Sequence, residues 1–304
     1  MWRAAIALAG LLLLTAGCGE DADGGSSAVS VVATTTQAAD LVGETGGSRV
    51  EVDALLARGA DPHGYEPRPS DVAALADADL IVRSGGEVDA WTSDLIEGSG
   101  ADAPVVELID AVDTIPGDGG EPDAHWWQDP RAAVRAVEAI RKALVAADPK
   151  GRDAYTRTAS AYTSELRRLN RDLEACFEQV QPARRKIVTT HDALGYLARA
   201  YDIDVVGAVI PSLSTQAQPS AADVDALVRQ IEQEGVKAVF PESGISEKLE
   251  RAIARESGAQ VGGALWADTL GPEGSGAETY VGAMRANADA LVRGMSGGRT
   301  GCSG

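Results

Sequence analysis

The sequence predicts an α/β protein with two similar lobes, each a four-stranded parallel sheet with flanking helices, joined by one long rigid helix. Short apolar stretches alternate with helical stretches up to about residue 150, and the alternation recurs after residue 182. Between the two blocks, residues 151–181 form a single helical pattern. Strands that alternate with helices are typical of crossover units, which build parallel sheets.

The amino-terminal lobe is predicted over residues 29–150. A short apolar run such as VSVVA is typical of a buried strand. The predicted strands are residues 29–33, 50–56, 79–83 and 104–108. The predicted helices are residues 37–44, 71–78, 91–97 and 131–147, with Ser70 and Asp71 as the cap of the second.

The predicted linking helix, residues 151–181, carries one narrow apolar stripe. Its members are spaced by four and three positions: Tyr155, Ala159, Tyr162, Leu166, Leu169, Leu173, Cys176 and Val180. At 1.5 Å per residue, about 30 residues span roughly 45 Å, the length of a whole domain. Such a stripe is typical of a coiled-coil arm or of a rod packed along two lobes, and its place between two α/β blocks favours the rod.

The carboxyl-terminal lobe is predicted over residues 182–296. Its strands are predicted at residues 186–190, 205–209, 236–240 and 260–264, and its helices begin near Ala193, Ser220, Ser246 and Glu278. The likeness to the first lobe is one of pattern, since the sequence shows no tandem repeat. The glycine-rich tail, residues 297–304, is predicted to be disordered.

Composition and charge limit the possible partners. The 304 residues leave room for two domains with cores, and 44% hydrophobic residues is ordinary for a globular protein. Asp and Glu number 46 against 27 Lys and Arg, for a formal net charge of −19. Nucleic acid and anionic lipid are bound through clustered cations, so this balance argues against both as direct partners.

The amino terminus has the features of a lipoprotein signal. A short basic start is followed by an apolar run, residues 4–14, that is too short to span a bilayer well. Small residues then precede Cys18, so residues 1–17 are predicted to be a signal peptide and Cys18 to be lipidated. Residues 18–28 would form a flexible tether. We therefore predict an exported protein, periplasmic or held at the outer face of the cytoplasmic membrane through its lipid anchor only.

Two cysteines remain if Cys18 carries lipid. Cys176 and Cys302 would then be exposed to an oxidising compartment, in which two thiols can form a disulfide. The alternative is that Cys302, in the glycine-rich tail, stays free.

The sequence contains three histidines, and each lies in a well-defined loop. His63 lies in GADPHGYEPRPSD, His125 in DAHWWQDP and His191 in TTHDALGYLARAYDI. Ligands of open parallel sheets bind beyond the carboxyl ends of the strands, and each histidine follows a predicted strand, as does Asp268 in LWADTLG. The four side chains converge on a cleft between the lobes if the two sheets face each other. Three imidazoles and one carboxylate would form a closed tetrahedral shell suited to Zn²⁺; the alternative is three unrelated surface or capping histidines.

Neighbouring residues are candidates for supporting roles. Glu66 and Glu242 would accept the second N–H of a ligating imidazole and fix its tautomer, with a surface or capping role as the alternative for Glu242. Trp126 and Trp127 would wall the cleft and exclude water, with core packing as the alternative for at least one of them.

At these residues the chain resembles the solute-binding lipoproteins of bacterial zinc and manganese ABC transporters, of the cluster A-I type. The matching stretches extend from about residue 29 to 294 and include the three histidine loops, STQAQPSAADVDALV, VKAVFPESGIS and LWADTLGPEGSGAETYVGAM. The resemblance implies two α/β lobes joined by one long helix, with the metal between them. Carried over residue by residue, it implies His63, His125, His191 and Asp268 as ligands. Two features depart from the family: the loop before His125 is short and acidic, and Ala124 stands where proline is usual.

The resemblance also bears on the choice of metal and on partners. Manganese-specialised members of the family place glutamate at the position of His191, so His191 favours Zn²⁺ over Mn²⁺ or Fe²⁺. The expected function is to capture Zn²⁺ and deliver it to an ABC transporter permease for import. We expect a monomer that binds no nucleic acid, and whether a metal chaperone supplies the ion is left open.

Hydrolysis and adhesion are two other classes of function that the sequence could indicate. A zinc metallohydrolase normally keeps a fourth coordination position open for water, whereas here Asp268 would fill it, and no HExxH motif is present. Adhesion would rest on surface exposure alone. The sequence therefore predicts a carrier rather than an enzyme.

Overall fold

The computed structural model describes residues 28–117 and 120–302. The predicted signal peptide, the predicted lipidation site Cys18 and nearly all of the predicted tether lie outside these residues.

The amino-terminal lobe is built on one parallel sheet. Its strands are β1 (Val29–Ala33), β2 (Val50–Ala54), β3 (Leu80–Arg83) and β4 (Val105–Glu107), in the spatial order β2-β1-β3-β4. Its helices are α1 (Thr36–Gly46), α2 (Pro69–Ala76), α3 (Thr92–Ser99) and α4 (Pro130–Ala147). The central strands β1 and β3 are largely apolar because helices cover both faces of the sheet. All four strands are paired in parallel, so their carboxyl ends lie at one edge.

The carboxyl-terminal lobe repeats this arrangement. Its strands are β5 (Lys186–His191), β6 (Asp204–Ile210), β7 (Ala238–Phe240) and β8 (Gln260–Val261), in the order β6-β5-β7-β8. Its helices are α6 (Gly195–Tyr201), α7 (Ala221–Glu234), α8 (Lys248–Ser257) and α9 (Tyr280–Ser296). Each sheet thus places its second and fourth strands at opposite edges, and the predicted fold class is confirmed.

The long helix α5 (Arg152–Phe177) joins the lobes. Its buried stripe is the predicted one except for Val180, which lies beyond the end of the helix. The stripe packs against α1 and α4 of the first lobe and against α6 and α9 of the second. Fully burying a residue such as Leu166 or Leu169 stabilises the folded state by roughly 1.5–3 kcal/mol. One hydrophobic core runs from Val31 in the first lobe through this stripe to Phe240 in the second. The helix is therefore part of the core of both lobes.

Several predicted strands are longer than the observed ones. The predicted strand 50–56 ends at Ala54, although Leu55 and Leu56 are only 2% and 3% exposed. Likewise, the predicted strand 260–264 ends at Val261. An apolar run continues beyond the hydrogen-bonded ladder wherever the following loop is itself packed in the core, so hydrophobicity alone overstates strand length.

The start of the tail is ordered, contrary to our expectation of disorder from residue 297. Cys302 forms a disulfide with Cys176 of α5, with 5.1 Å between the two Cα atoms. The Cys302 amide donates to Asp289 Oδ1 at 2.9 Å, and the Thr300 amide donates to Ser296 Oγ at 3.1 Å. A cross-link to the linking helix and these hydrogen bonds hold a glycine-rich segment that composition alone marks as disordered.

Candidate metal centre

Three loops and one strand end, all at the carboxyl edges of the sheets, bring the four predicted ligands together. His63 lies in the loop after β2, and His125 lies in the loop after β4. His191 is the last residue of β5, and Asp268 follows β8. Because the two parallel sheets present their carboxyl edges to each other, two side chains come from each lobe.

The four side chains surround one point. The Nε2 atoms of His63 and His191 each lie 3.1 Å from Asp268 Oδ2, and His125 Nε2 lies 3.4 Å from Asp268 Oδ1. One candidate ligand atom from each residue lies within 4.8 Å of the other three. The imidazole rings are 5.3–5.7 Å apart and none is stacked on another. This is the arrangement of three nitrogens and a carboxylate around a single small cation.

The polar atoms at this point are buried and have no hydrogen-bond partner. The side chains of His63, His125, His191 and Asp268 are 4%, 0%, 1% and 2% exposed. Among the residues that the structure describes, none offers a hydrogen bond of acceptable geometry to the three Nε2 atoms or the two Asp268 oxygens. Buried polar atoms are nearly always paired, and an unpaired buried carboxylate is especially costly. A divalent cation would satisfy all of these atoms at once, and borderline metals accept this donor set.

The electrostatics of the cluster favour an ionised carboxylate. Burial raises the pKa of Asp268, but the imidazoles of His191 and His125 outweigh it and hold this pKa well below its usual range. Burial lowers the pKa of His191, but the carboxylates of Asp268 and Glu242 outweigh it and raise this pKa well above 6.5. Both shifts arise because the carboxylates and the imidazoles stabilise each other's charged forms.

A second layer of carboxylates orients two of the imidazoles. Asp123 Oδ1 lies 2.7 Å from Nδ1 of His125, and Glu242 Oε2 lies 2.7 Å from Nδ1 of His191. A carboxylate at Nδ1 leaves Nε2 free to face a metal and raises its basicity. Glu66 does not take this role: its side chain is exposed and contacts no histidine among the described residues. The residue that does so for His125, Asp123, lies in the loop that the sequence marks only as short and acidic.

The motif D-x-H fixes the backbone of His63 and of His125 in the same way. In both D-x-H stretches, the carboxylate two residues earlier accepts the histidine amide hydrogen bond: Asp61 Oδ1 from His63 at 2.9 Å, and Asp123 Oδ1 from His125 at 2.8 Å. An aspartate that bonds the backbone two residues on forms an Asx turn. The spacing D-x-H was therefore the signal that could have identified Asp123.

A hydrogen-bonded chain extends from the His191 side of the site to helix α8. The Thr190 hydroxyl donates to Glu250 Oε1 at 2.8 Å and accepts from the Glu242 amide at 3.0 Å. Both carboxylates are buried, with Glu242 6% and Glu250 2% exposed. Because the hydroxyl is held at both ends, it fixes the backbone of Glu242, whose carboxylate faces His191.

The first lobe also holds the backbone beside Asp268. Trp127 Nε1 and Gln128 Nε2 both donate to the carbonyl oxygen of Ala267 at 2.8 Å. The Trp127 ring also lies edge-on to His125, with 5.3 Å between the ring centroids. Trp126 instead donates to the Ser84 carbonyl inside the first lobe. Trp127 therefore lines the site, whereas Trp126 is a core residue of the first lobe.

Comparison with known proteins places this arrangement in a family. Residues 31–294 match the family described as zinc-uptake complex component A periplasmic, ZnuA. The chain belongs to this family. Its members are substrate-binding components of metal ABC transporters, so the protein is a metal-binding transport component and not an enzyme. Among the residues that the structure describes, no helix combines the length and apolarity that crossing a membrane requires.

The relatives are similar along nearly their whole length but are named for different metals. The manganese-binding lipoprotein MntA of Halalkalibacterium halodurans is 32% identical over 292 residues, which cover 94% of this chain and 96% of the relative. The iron-binding protein YfeA of Yersinia pestis is 30% identical over 87% of this chain and 86% of its own. The periplasmic zinc-binding protein TroA of Treponema pallidum superposes with a TM-score of 0.84 at 29% identity, over 88% of this chain and 99% of its own.

The hydrogen-bonded chain to α8 predicts a difference between two substitutions of Thr190. Thr190→Val removes the hydroxyl that joins Glu250 to Glu242 and should weaken zinc binding by about 10–100-fold, the usual effect of losing a residue that orients a ligand. Thr190→Ser keeps the hydroxyl and should bind like the unmodified protein. Chelator competition measures the affinity, and the absorption bands of bound Co²⁺ report the ligand geometry. Equal affinity and spectra for Thr190→Val and the parent would contradict this role.

Proposed function

We propose that this protein captures one Zn²⁺ ion outside the cytoplasm and delivers it to the permease of an ABC transporter for import. The single observation that carries the proposal is the set of five unpartnered buried atoms contributed by His63, His125, His191 and Asp268. These residues are proposed as the ligands. Zinc is the cargo of the protein and not a catalytic cofactor.

The donor set supports zinc as the cargo. Three imidazoles favour a borderline metal over a hard one, and at nitrogen-rich sites Zn²⁺ is bound far more tightly than Mn²⁺ or Fe²⁺. The four donors form a closed shell, which is typical of four-coordinate zinc. Manganese or iron(II) is the second candidate, favoured by relatives that are named for binding those metals. In cells, metal availability decides occupancy together with affinity.

The proposed location rests on the amino terminus. Small residues precede Cys18, and relatives such as MntA of Halalkalibacterium halodurans are named as lipoproteins. We propose that Cys18 is lipidated, that the chain is held at the outer face of the membrane, and that it works as a monomer beside its permease. Delivery of zinc to it by a metal chaperone is not required by the site.

The proposed capture of the metal ion depends on ligands that come from both lobes. A bound ion joins the loops of the first lobe (His63 and His125) to those of the second (His191 and Asp268), so it should raise the melting temperature of the protein by mass action. The shared core along α5 limits how far the lobes separate. Release therefore requires local movement of ligand loops rather than wide opening. His63 lies in such a loop, joined to the second lobe by hydrogen bonds from Thr215 to Asp61 and from the Gly59 amide to Thr269.

Substitution of the ligands tests the proposal directly. The purified protein should contain about one zinc per chain by elemental analysis and should hydrolyse no ester, phosphate or peptide substrate. His63→Ala and His191→Ala should each weaken zinc binding by orders of magnitude, because each leaves the other donors without a closed shell. Glu66→Ala is the matched control, since Glu66 lies on the same loop as His63 but is exposed, and it should bind zinc normally. Parental zinc affinity in both histidine variants would refute the ligand assignment.

Position 191 is expected to select the metal. His191→Glu replaces an imidazole with a harder carboxylate and should shift the ratio of zinc to manganese affinity toward manganese. Competitive titration of both metals measures this ratio in the variant and in the parent. An unchanged ratio would show that selectivity lies elsewhere in the site.

Zinc affinity should fall as the solution becomes more acidic. The raised pKa of His191 means that a proton competes with the metal already above pH 6.5, and the competition deepens as the pH falls. Asp268 stays ionised in this range because its pKa is well below 3.8. Each displaced proton lowers the affinity by about tenfold per pH unit. Chelator competition from about pH 9 to about pH 5 checks the slope, and a flat profile below about pH 6 would contradict the prediction.

A further inference from the structure

Helices α4 and α5 concentrate the positive charge of an acidic protein. Residues 131–171 contain ten Lys and Arg and four Asp and Glu, a formal charge of +6, whereas the whole chain carries −19. The rest of the chain therefore carries −25. This stretch consists almost entirely of α4 and the first three quarters of α5, which pack directly against each other.

Five of these basic side chains line the groove between the two helices. The groove has a section of about 600 Å³, lined by Arg135, Lys142 and Arg167, and a second of about 190 Å³, lined by Arg131, Arg167 and Arg171. We call the five side chains the basic groove.

Three members of the basic groove have no ion-pair partner. Arg131 and Arg135 pair with Asp129 and Asp113. Lys142, Arg167 and Arg171 are exposed and form no ion pair with any described residue. Two nearby carboxylates are already engaged: Glu138 pairs with Arg141, and Asp172 pairs with Arg285. The groove therefore carries net positive charge, since Glu138 is the one acidic residue among those that line its two sections.

The amino-terminal tether enters the fold near the carboxyl-terminal end of α4, at one end of the groove. Val29 is paired with Val50 in the sheet, and the neighbouring Arg49 forms an ion pair with Asp148, the residue that caps the end of α4. The tether of residues 18–28 spans at most about 36–40 Å when extended. Helix α4 is about 27 Å long at 1.5 Å per residue. A lipid on Cys18 can therefore reach a membrane that lies along the whole groove.

We propose that the basic groove is a membrane-contact surface that binds the phosphate headgroups of anionic phospholipids. This inference rests on the proposed lipid attachment at Cys18, which places these headgroups within reach. The acidic remainder of the chain does not cancel the attraction, because charges farther away than about 8 Å are largely screened at physiological salt. The groove also revises the expectation from net charge that anionic lipid is excluded as a direct partner.

The test uses the mature chain without lipid, residues 19–304, which retains every described strand and helix. It should sediment with vesicles of phosphatidylglycerol, should not sediment with phosphatidylcholine vesicles, and should be released as salt rises from about 50 to about 300 mM. Each basic side chain near an anionic surface strengthens binding about fivefold, so the triple variant Lys142→Gln, Arg167→Gln and Arg171→Gln should bind at least about tenfold more weakly.

A matched control variant separates the effect of where the removed charges lie from the effect of the total charge. Arg229→Gln, Lys237→Gln and Arg255→Gln remove the same charge from exposed residues of the second lobe that form no ion pair with described residues, and this variant should bind vesicles like the parent. No binding of the parent to anionic vesicles, or equal loss in both variants, would overturn the proposal. Release by millimolar inorganic phosphate at constant ionic strength would instead assign the groove to a small anion. Zinc titration of the same proteins and the mass of the mature lipidated chain test the proposed function separately.

Discussion

The structure depends on compensating one buried carboxylate. Asp268 lies among three imidazole nitrogens, out of contact with water, and neither of its oxygens has a hydrogen-bond partner. Leaving a charge in such a place is expensive unless an opposite charge joins it. A divalent cation supplies this opposite charge and can be coordinated by all three neutral imidazoles, whereas a proton binds to only one of them. A divalent cation would therefore complete the contacts of these four side chains at the interface between the lobes.

The rest of the fold keeps these four side chains at the distance that a metal requires. Two parallel sheets present their carboxyl ends to each other, and α5 belongs to the core of both lobes, which limits their separation. Hydrogen bonds across the interface complete the positioning: Trp127 and Gln128 of one lobe hold the carbonyl of Ala267 in the other, directly before Asp268. If the lobes were free to move, ligands on separate lobes would bind the metal more weakly. High affinity for the metal therefore requires a rigid arrangement of the two lobes.

The sequence was sufficient for the fold and for finding the side chains that meet, but not for what surrounds them. Histidine loops after apolar strands indicated convergence because the ends of parallel strands share an edge. By contrast, Asp123, Gln128 and Glu250 were missed, and Glu66 was put forward in place of Asp123. Hydrogen-bond partners depend on the direction of a side chain and on distances below about 3 Å, which no pattern of residue types specifies. The ordered start of the tail was missed similarly, since its cross-link to α5 is a contact between distant parts of the chain.

Net charge alone does not specify which surfaces the protein presents, for a related reason. A total of −19 describes the chain as a whole, whereas a membrane or a permease senses only the charges within about one Debye length of its own surface. Folding sorts the charges: the unpaired Lys142, Arg167 and Arg171 lie along one groove, and the site presents three imidazoles and an ionised carboxylate within a protein that is acidic elsewhere. An acidic surface and a basic groove can coexist in one protein because each attracts ions of the opposite sign only over a short distance. The position of each charge in the fold, rather than the net charge, decides which partners the protein can bind.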